Sequence, residues 1–300
     1  MKVDILMATY NGEKYIGKQI ESIIEQTYKD WTLYIRDDAS NDNTMIIVRQ
    51  YAGNYPGKIK FIVNSENSGS PKANFFKLIK NSKADVIFTC DQDDIWEKDK
   101  IELTLKAFEG ESKPLLVHTD LKIIDEKDSI LCESMVKSQH IDITRTGLNK
   151  LLVQNIVTGC TMAFNRELAD ILIEPELIPV HDWWIAAVAS AFGNIRYIDK
   201  STIRYRKHMN NACGPQNMNN PHYVVSRARD KCKAKKMLGL GYVMAAELLE
   251  KYKMPYKYNR MLKDYSAMAQ KNKLQKFAVI FKYGIWKSGI LRKAGQLWFM

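Results

Sequence analysis

Residues 90–96 read Cys90-Asp91-Gln92-Asp93-Asp94-Ile95-Trp96, and the apolar run 84–89 before them has strand character. Three carboxylates in four positions repel one another. A fold holds them together at small cost only in water or around a cation. Asp91 and Asp93 are two residues apart, and a turn can bring both to one oxygen-seeking divalent ion. Mg2+ keeps several waters and borrows oxygens from substrate phosphates, so it needs few protein ligands. The plainer alternative is a solvated acidic turn in which Asp94 caps the next helix.

Further candidates lie along the chain. Asp37-Asp38 closes another strand-like run, where carboxylates either accept hydrogen bonds from a base or ribose or cap the following helix. Asp182 follows Pro179-Val180-His181 and opens an apolar helix. It reads as a general base or as an N-cap, and the helix N-terminus is expected to lower its pKa. Arg204, Arg206 and His208 stand beside an Asn-rich stretch. Guanidinium suits phosphate and imidazole suits a metal, while a solvated basic loop is the alternative. Gly159 could permit close approach of a ligand or simply make a turn. Nothing pairs Cys160 with a base, which argues against a thiol nucleophile. There is no G-x-G-x-x-G and no G-x-x-x-x-G-K-[ST], so neither a Rossmann dinucleotide site nor a P-loop is supported.

These residues need elements to position them. Strand candidates are 3–8, 32–36, 60–63, 86–89 and 115–120. They alternate with helix candidates 15–25, 44–51, 72–80 and 98–108. Such alternation predicts an α/β fold with a mostly parallel sheet covered by helices, which binds ligands at the carboxyl ends of its strands. Four segments fall at those ends: Thr9–Gly12, Asp37–Ser40, 64–70 and Asp91–Asp94. Further strands are expected at 157–164 and 195–205, a helix at 185–191, and a loop at 210–221.

The chain has 300 residues, 46% of them hydrophobic, which suits one large domain or two small ones. No run of 18 apolar residues occurs, so no membrane span is expected. Residues 1–10 lack the pattern of a signal peptide, and the five scattered cysteines suit a reducing cytoplasm. The net charge of +11 is unevenly distributed. Residues 1–199 carry 23 Lys/Arg against 30 Asp/Glu, and residues 200–300 carry 22 against 4.

The pattern resembles family-2 glycosyltransferases of the GT-A fold, inverting enzymes that use nucleotide-sugar donors. The matching segments are Ala8–Gly12, Gln26-Thr27-Tyr28, Asp37–Thr44, Asp91–Trp96, His181–Trp184 and Tyr205–Asn211, spread over residues 1–212. The D-Q-D-D-I-W and H-D-W-W forms look most like bacterial rhamnosyltransferases of surface polysaccharides such as lipopolysaccharide and capsule.

The resemblance implies a GT-A catalytic domain at 1–212 and a basic helical extension at 213–300. It implies that Thr9, Asn11 and Asp38 bind the donor's nucleotide and that Asp91 approaches the ribose or the metal. Asp93 and His208 would hold Mg2+ or Mn2+, with Arg204 and Arg206 on the diphosphate side. Asp182 would be the catalytic base, and Trp183 and Trp184 would shape an acceptor pocket, with burial in the core as their alternative. Ala39 stands where glycine is commoner in the family. The implied donor is dTDP-rhamnose, or alternatively a UDP-hexose or UDP-N-acetylhexosamine, and the acceptor a glycan or polyprenyl-linked glycan.

Residues 271–300 mix exposed-type aromatics with seven Lys/Arg and no acid. They read as a segment lying on an anionic membrane surface, or as helices packed on the catalytic domain. The enzyme is then cytoplasmic, with a peripheral position on the inner membrane face. No nucleic-acid motif is present, so nucleic acid is not an expected partner. A non-catalytic membrane-associated scaffold is the alternative from another class.

Overall fold

The computed structural model describes residues 1–208 and 231–300. The expected loop at 210–221 and the boundary at 212/213 lie outside the described residues. The first half runs β1 (Val3–Thr9), α1 (Ile16–Ile24), β2 (Trp31–Asp37), α2 (Thr44–Asn54), β3 (Ile59–Val63), α3 (Pro71–Asn81) and β4 (Val86–Cys90). Then come β5 (Ile95–Trp96), α4 (Lys100–Leu105), β6 (Leu115–Ile124), β7 (Ile130–Cys132), α5 (Met135–Ser138) and α6 (Leu148–Leu151). They lead to β8 (Met162–Asn165), α7 (Arg166–Ile171), α8 (His181–Phe192) and β9 (Asn194–Arg206). Four further helices follow: α9 (Lys231–Lys251), α10 (Tyr256–Ser266), α11 (Lys273–Tyr283) and α12 (Ile290–Phe299).

The strands form one sheet in the order β3-β2-β1-β4-β8-β6-β9-β5, with β7 paired to β6. β3, β2, β1 and β4 are parallel neighbours, β8 runs against both β4 and β6, and β9 is parallel to β6. This is the expected largely parallel α/β fold. The central strand β1 shows why such strands read as continuous apolar runs. Val3, Ile5 and Met7 point into one hydrophobic cluster with Ile16, Ile20 and Ile23 of α1, while Leu6 points into the other. Burying each such side chain is worth about 1.5–3 kcal/mol, so α1 is held by packing, since no side chain caps its start.

The second cluster covers the opposite face. Phe75, Phe76 and Ile79 of α3 and Trp183 to Ala189 of α8 meet Leu238, Met244 and Leu248 of α9 there. Leu262 and Tyr265 of α10 and Ile280 of α11 complete it. The basic C-terminal helices therefore share a core with the sheet domain. A Cβ at Gly241 would lie 2.0 Å from the Leu152 carbonyl oxygen, so α9 approaches residue 152 closely only because it carries glycine there.

Some expected elements differ. The run 157–164 is apolar enough for one strand, but a 3-10 turn at Gly159–Thr161 breaks it and the strand starts at Met162. The helix expected at 185–191 begins four residues earlier, at His181. Short β5 and β7 carry too few residues to show a period.

Candidate functional site

Parallel pairing sets the site's frame. Thr9 lies opposite Asp37, Asp37 opposite Val63, and Met7 opposite Cys90, so the four segments expected at strand ends do share one edge. Hydrogen bonds then tie the loops together. The Gln92 side chain accepts from the Tyr10 N–H at 2.9 Å and donates to the Tyr10 carbonyl at 3.0 Å. A Cβ at Gly12 would fall 2.4 Å from Gln92 Oε1, so Gly12 makes room for this bridge. Asn11 accepts from the Asn41 N–H and donates its own N–H to Ser40 Oγ, both at 2.9 Å.

The Asp37–Ala39 turn is built by its own acids. Asp37 is fully buried and accepts from the Ser40 N–H at 2.9 Å and from Thr9 Oγ1 at 3.2 Å. Asp38 accepts from Asn64 Nδ2 at 2.6 Å, the Ser68 N–H at 2.9 Å and Ser68 Oγ at 3.0 Å. Burial pushes the Asp38 carboxyl up, but these donors and Asn74 outweigh it and hold the group below its ordinary range. Thr9 and Asp38 thus line the loop junction from within. Beside them Arg36, Asn64, Ser68 and Lys77 line a shallow cleft. Ala39 has φ +61°, the left-handed region where glycine sits without strain.

The three acids after β4 have different surroundings. Asp94 is fully buried and accepts from the Arg206 N–H at 3.2 Å. Burial, then Asp93 and Asp91, push its carboxyl well above the ordinary carboxylate range. Asp93 Oδ2 lies 2.7 Å from His208 Nε2, and the His208 ring stacks on Tyr15 with centroids 5.3 Å apart. Burial, with the charges of Asp93 and Asp182 added, raises Asp91 to about 7. Asp91 is therefore near enough to both its D-x-D partner and the acid of α8 to feel their charges.

Asp182 lies in the first turn of α8, where Val180 is the N-cap and no side chain caps the helix. The N-cap alternative is thus overturned. So is the expected pKa depression: burial pushes Asp182 up to about 6, against the backbone N–H groups of Trp183 and Gly159 that pull it down. His181 stacks on Phe75 with centroids 4.0 Å apart, and burial lowers it to about 3, keeping it neutral. A Cβ at Gly159 would meet His181 Nε2 at 3.1 Å and Asp182 Cβ at 3.8 Å. Gly159 therefore serves the seating of the His181-Asp182 turn.

Other expected residues lie elsewhere. Trp183 and Trp184 are 3% and 0% exposed, and their indole N–H groups donate to the carbonyls of Leu151 and Ile173 at 2.6 and 2.7 Å. They are core residues and shape no acceptor pocket, because α8 is buried on every side from Trp183 to Ala189. Arg204 pairs with Glu97 at 3.0 Å and lines a cleft with Ser22, Glu25 and Trp96 that includes none of the clustered acids. Arg206 is fully buried, donates to the carbonyls of Asp93 and Asp125 at 3.0 and 3.1 Å, and pairs with Asp128. It braces the acidic loop from behind, so a direct contact to phosphate does not suit it.

Asp91, Asp94 and Cys160 bring one ligand atom each within 4.8 Å of the others, a cluster compatible with a divalent ion. The carboxylates suit a hard cation, whereas the buried Cys160 thiol, pushed well up by burial, does not. Asp93 and Asp182 both add negative charge near Asp91, and a divalent cation would offset it. Below the loop, fully buried Lys100 donates to Thr202 Oγ1 at 3.3 Å and lies over the Trp96 ring, 5.0 Å from its centroid.

Residues 4–173 match the family model described as Glycosyl transferase family 2. The dTDP-rhamnosyl transferase RfbG of Shigella flexneri is 31% identical over 223 residues, 69% of this chain and 73% of that protein. The UDP-Glc:alpha-D-GlcNAc-diphosphoundecaprenol beta-1,3-glucosyltransferase WfgD of Escherichia coli is 28% identical over 167 residues, 55% of this chain and 61% of that protein. Among solved structures, TarS 1-349 of S. aureus in complex with UDP-GlcNAc matches with a TM-score of 0.56 at 16% identity, covering 94% of this chain and 80% of that one. The mannosyltransferase PcManGT from Pyrobaculum calidifontis, in complex with GDP-Man and Mn2+, matches with a TM-score of 0.58 at 18% identity, covering 99% and 78%. At these identities the two structures speak for the fold.

Proposed function

The chain belongs to glycosyl transferase family 2, and from that premise we propose that it transfers a sugar, with inversion, from a nucleotide-diphosphate donor to a glycan or polyprenyl-linked acceptor. One observation carries the reading: Asp91 lies within 4.8 Å of the Cys160 thiol, and Gly159 beside that cysteine packs on Asp182, so the D-x-D acids and the acid of α8 are neighbours at the sheet's carboxyl edge. In this reading Asp91 and Asp93 belong to the metal side and Asp182 is the base of one reaction centre.

In the proposed reaction an acceptor oxygen bonds to the anomeric carbon as the bond from that carbon to the diphosphate breaks. Asp182 takes the acceptor's proton, and its pKa of about 6 suits a base working near neutrality. Asp93 and His208, with Asp91 beside them, would hold Mg2+ or Mn2+. The bound cation would neutralise the charge growing on the leaving diphosphate. Gln92 and Arg206 keep the acidic loop in place, and His181 stays neutral. Thr9, Asn11 and Asp38 frame the nucleotide side.

For the donor, a UDP-hexose or UDP-N-acetylhexosamine is favoured by the names of WfgD and of the TarS complex, and dTDP-rhamnose by that of RfbG. The encounter with donor and acceptor takes place in the cytoplasm or at its membrane face, in polysaccharide synthesis. The test is a donor panel with Mg2+ or Mn2+, reading nucleoside diphosphate release and the anomeric configuration of the product by NMR. Release from one donor with inversion supports the proposal. Retention of configuration, or no donor bound in calorimetry, overturns it.

A further inference from the structure

The last two helices expose apolar stripes that the core does not need. α11 buries Val279 and Ile280 but leaves Leu274, Phe277 and Phe281 83%, 44% and 70% exposed. Spacings of three, four and seven place these three on one helix face. α12 likewise leaves Ile290, Leu291 and Trp298 at 85%, 78% and 72%. The Phe277 ring meets Trp286 edge-on at 6.3 Å, so the first stripe continues into the turn between the helices. Lone exposed apolar residues are ordinary; two stripes on consecutive helices mark a docking surface.

Charge selects the occupant. Residues 271–300 hold seven Lys/Arg and no acid, and Lys273 and Lys293 are exposed beside the stripes, as is Lys282, which pairs with Asp264 at 3.5 Å. A second copy docked through the same face would set like charges against each other. Nucleic acid offers phosphate but nothing for exposed Leu, Ile and Phe. A bilayer rich in anionic lipid offers both phosphate and an apolar interior to the same helix face. With 11 and 10 residues, these helices are too short to cross, and among the described residues no helix is long and apolar enough to do so.

We infer that α11 and α12 lie on an anionic lipid surface, with Leu274, Phe281, Ile290 and Trp298 entering the headgroup boundary and the lysines meeting lipid phosphate. This stands apart from the sugar-transfer reading, because vesicle binding is measured without donor, metal or acceptor. The experiment sediments the full chain with vesicles of phosphatidylcholine alone and of phosphatidylcholine mixed with phosphatidylglycerol, at physiological salt. It includes the exposed double variants Leu274→Ser/Phe281→Ser and Ile290→Ser/Trp298→Ser, with thermal melts to confirm folding. The expected result is binding to the anionic vesicles at least about tenfold above the neutral ones, and a loss of about tenfold in each double variant. Three results would overturn it: equal partition onto both vesicles, variants that bind like the parent, or self-association without lipid that the variants abolish.

Discussion

Replacing Asp182 by Asn should stabilise the protein while removing its activity. The carboxyl titrates at 3.8 when free and at about 6 in the fold, mainly because burial disfavours its charged form. Between those values the folded chain binds the extra proton. Asp182 therefore favours folding below pH 3.8, and that contribution is lost as pH rises through about 6. At 1.36 kcal/mol per unit the shift is worth at most about 3 kcal/mol. The side chain keeps partial access to solvent, so the expected cost to the parent above pH 7 is about 1–3 kcal/mol. For a chain of this size that is roughly 2–6 °C in Tm. Asparagine is neutral at every pH and still accepts from the Trp183 N–H, which bonds Asp182 Oδ1 at 2.5 Å. Removing its charge also relieves Asp91. The assay is thermal unfolding of both proteins in EDTA at pH 4, 6 and 8. The variant's advantage should be small at pH 4, grow through pH 6 and level off by pH 8. A gap independent of pH, or a parent more stable at pH 8, would refute the reasoning.

Other outcomes follow from the same geometry. Asp93→Ala should weaken Mn2+ binding by at least about tenfold in calorimetry, because it removes the carboxylate 2.7 Å from His208. Gly159→Ala should lower kcat by about 10–100-fold with little change in Tm, since its Cβ presses on the ring of His181, the residue beside Asp182. Arg206→Met should cost about 2–4 kcal/mol in denaturant unfolding, by leaving the Asp93 and Asp125 carbonyls without their donor and Asp128 with Lys18 as its remaining partner. Arg206→Lys should not restore it, since one ammonium lacks the spread of a guanidinium.

Much of the fold was legible because β1 to β4 carry apolar runs bounded by turn residues, and parallel pairing then forces their ends together. The acids at those ends were legible for the same reason. Burial was not. Asp182 looked like a residue whose pKa a helix N-terminus would depress, but desolvation outweighs the backbone N–H groups. Trp183 and Trp184 fit a pocket or a core by type, and only the burial of α8 on every side decides. Arg204 and Arg206 share a strand two residues apart, yet one lines a separate cleft and the other braces the acidic loop. The Gln92–Tyr10 bridge joins residues 82 apart, and no local pattern announces it. Gly12 was the available signal, a glycine whose open side is filled by that bridge.

The central claim is that this carboxylate cluster holds a divalent ion for transfer from a nucleotide-diphosphate sugar. Its most direct test is nucleoside diphosphate release from the accepted donor, with Mn2+ and with EDTA, in the parent and in Asp93→Ala. Release that needs the metal and disappears in Asp93→Ala, while the variant stays folded, is the predicted result. Release that survives EDTA, or that Asp93→Ala leaves unchanged, would contradict the account.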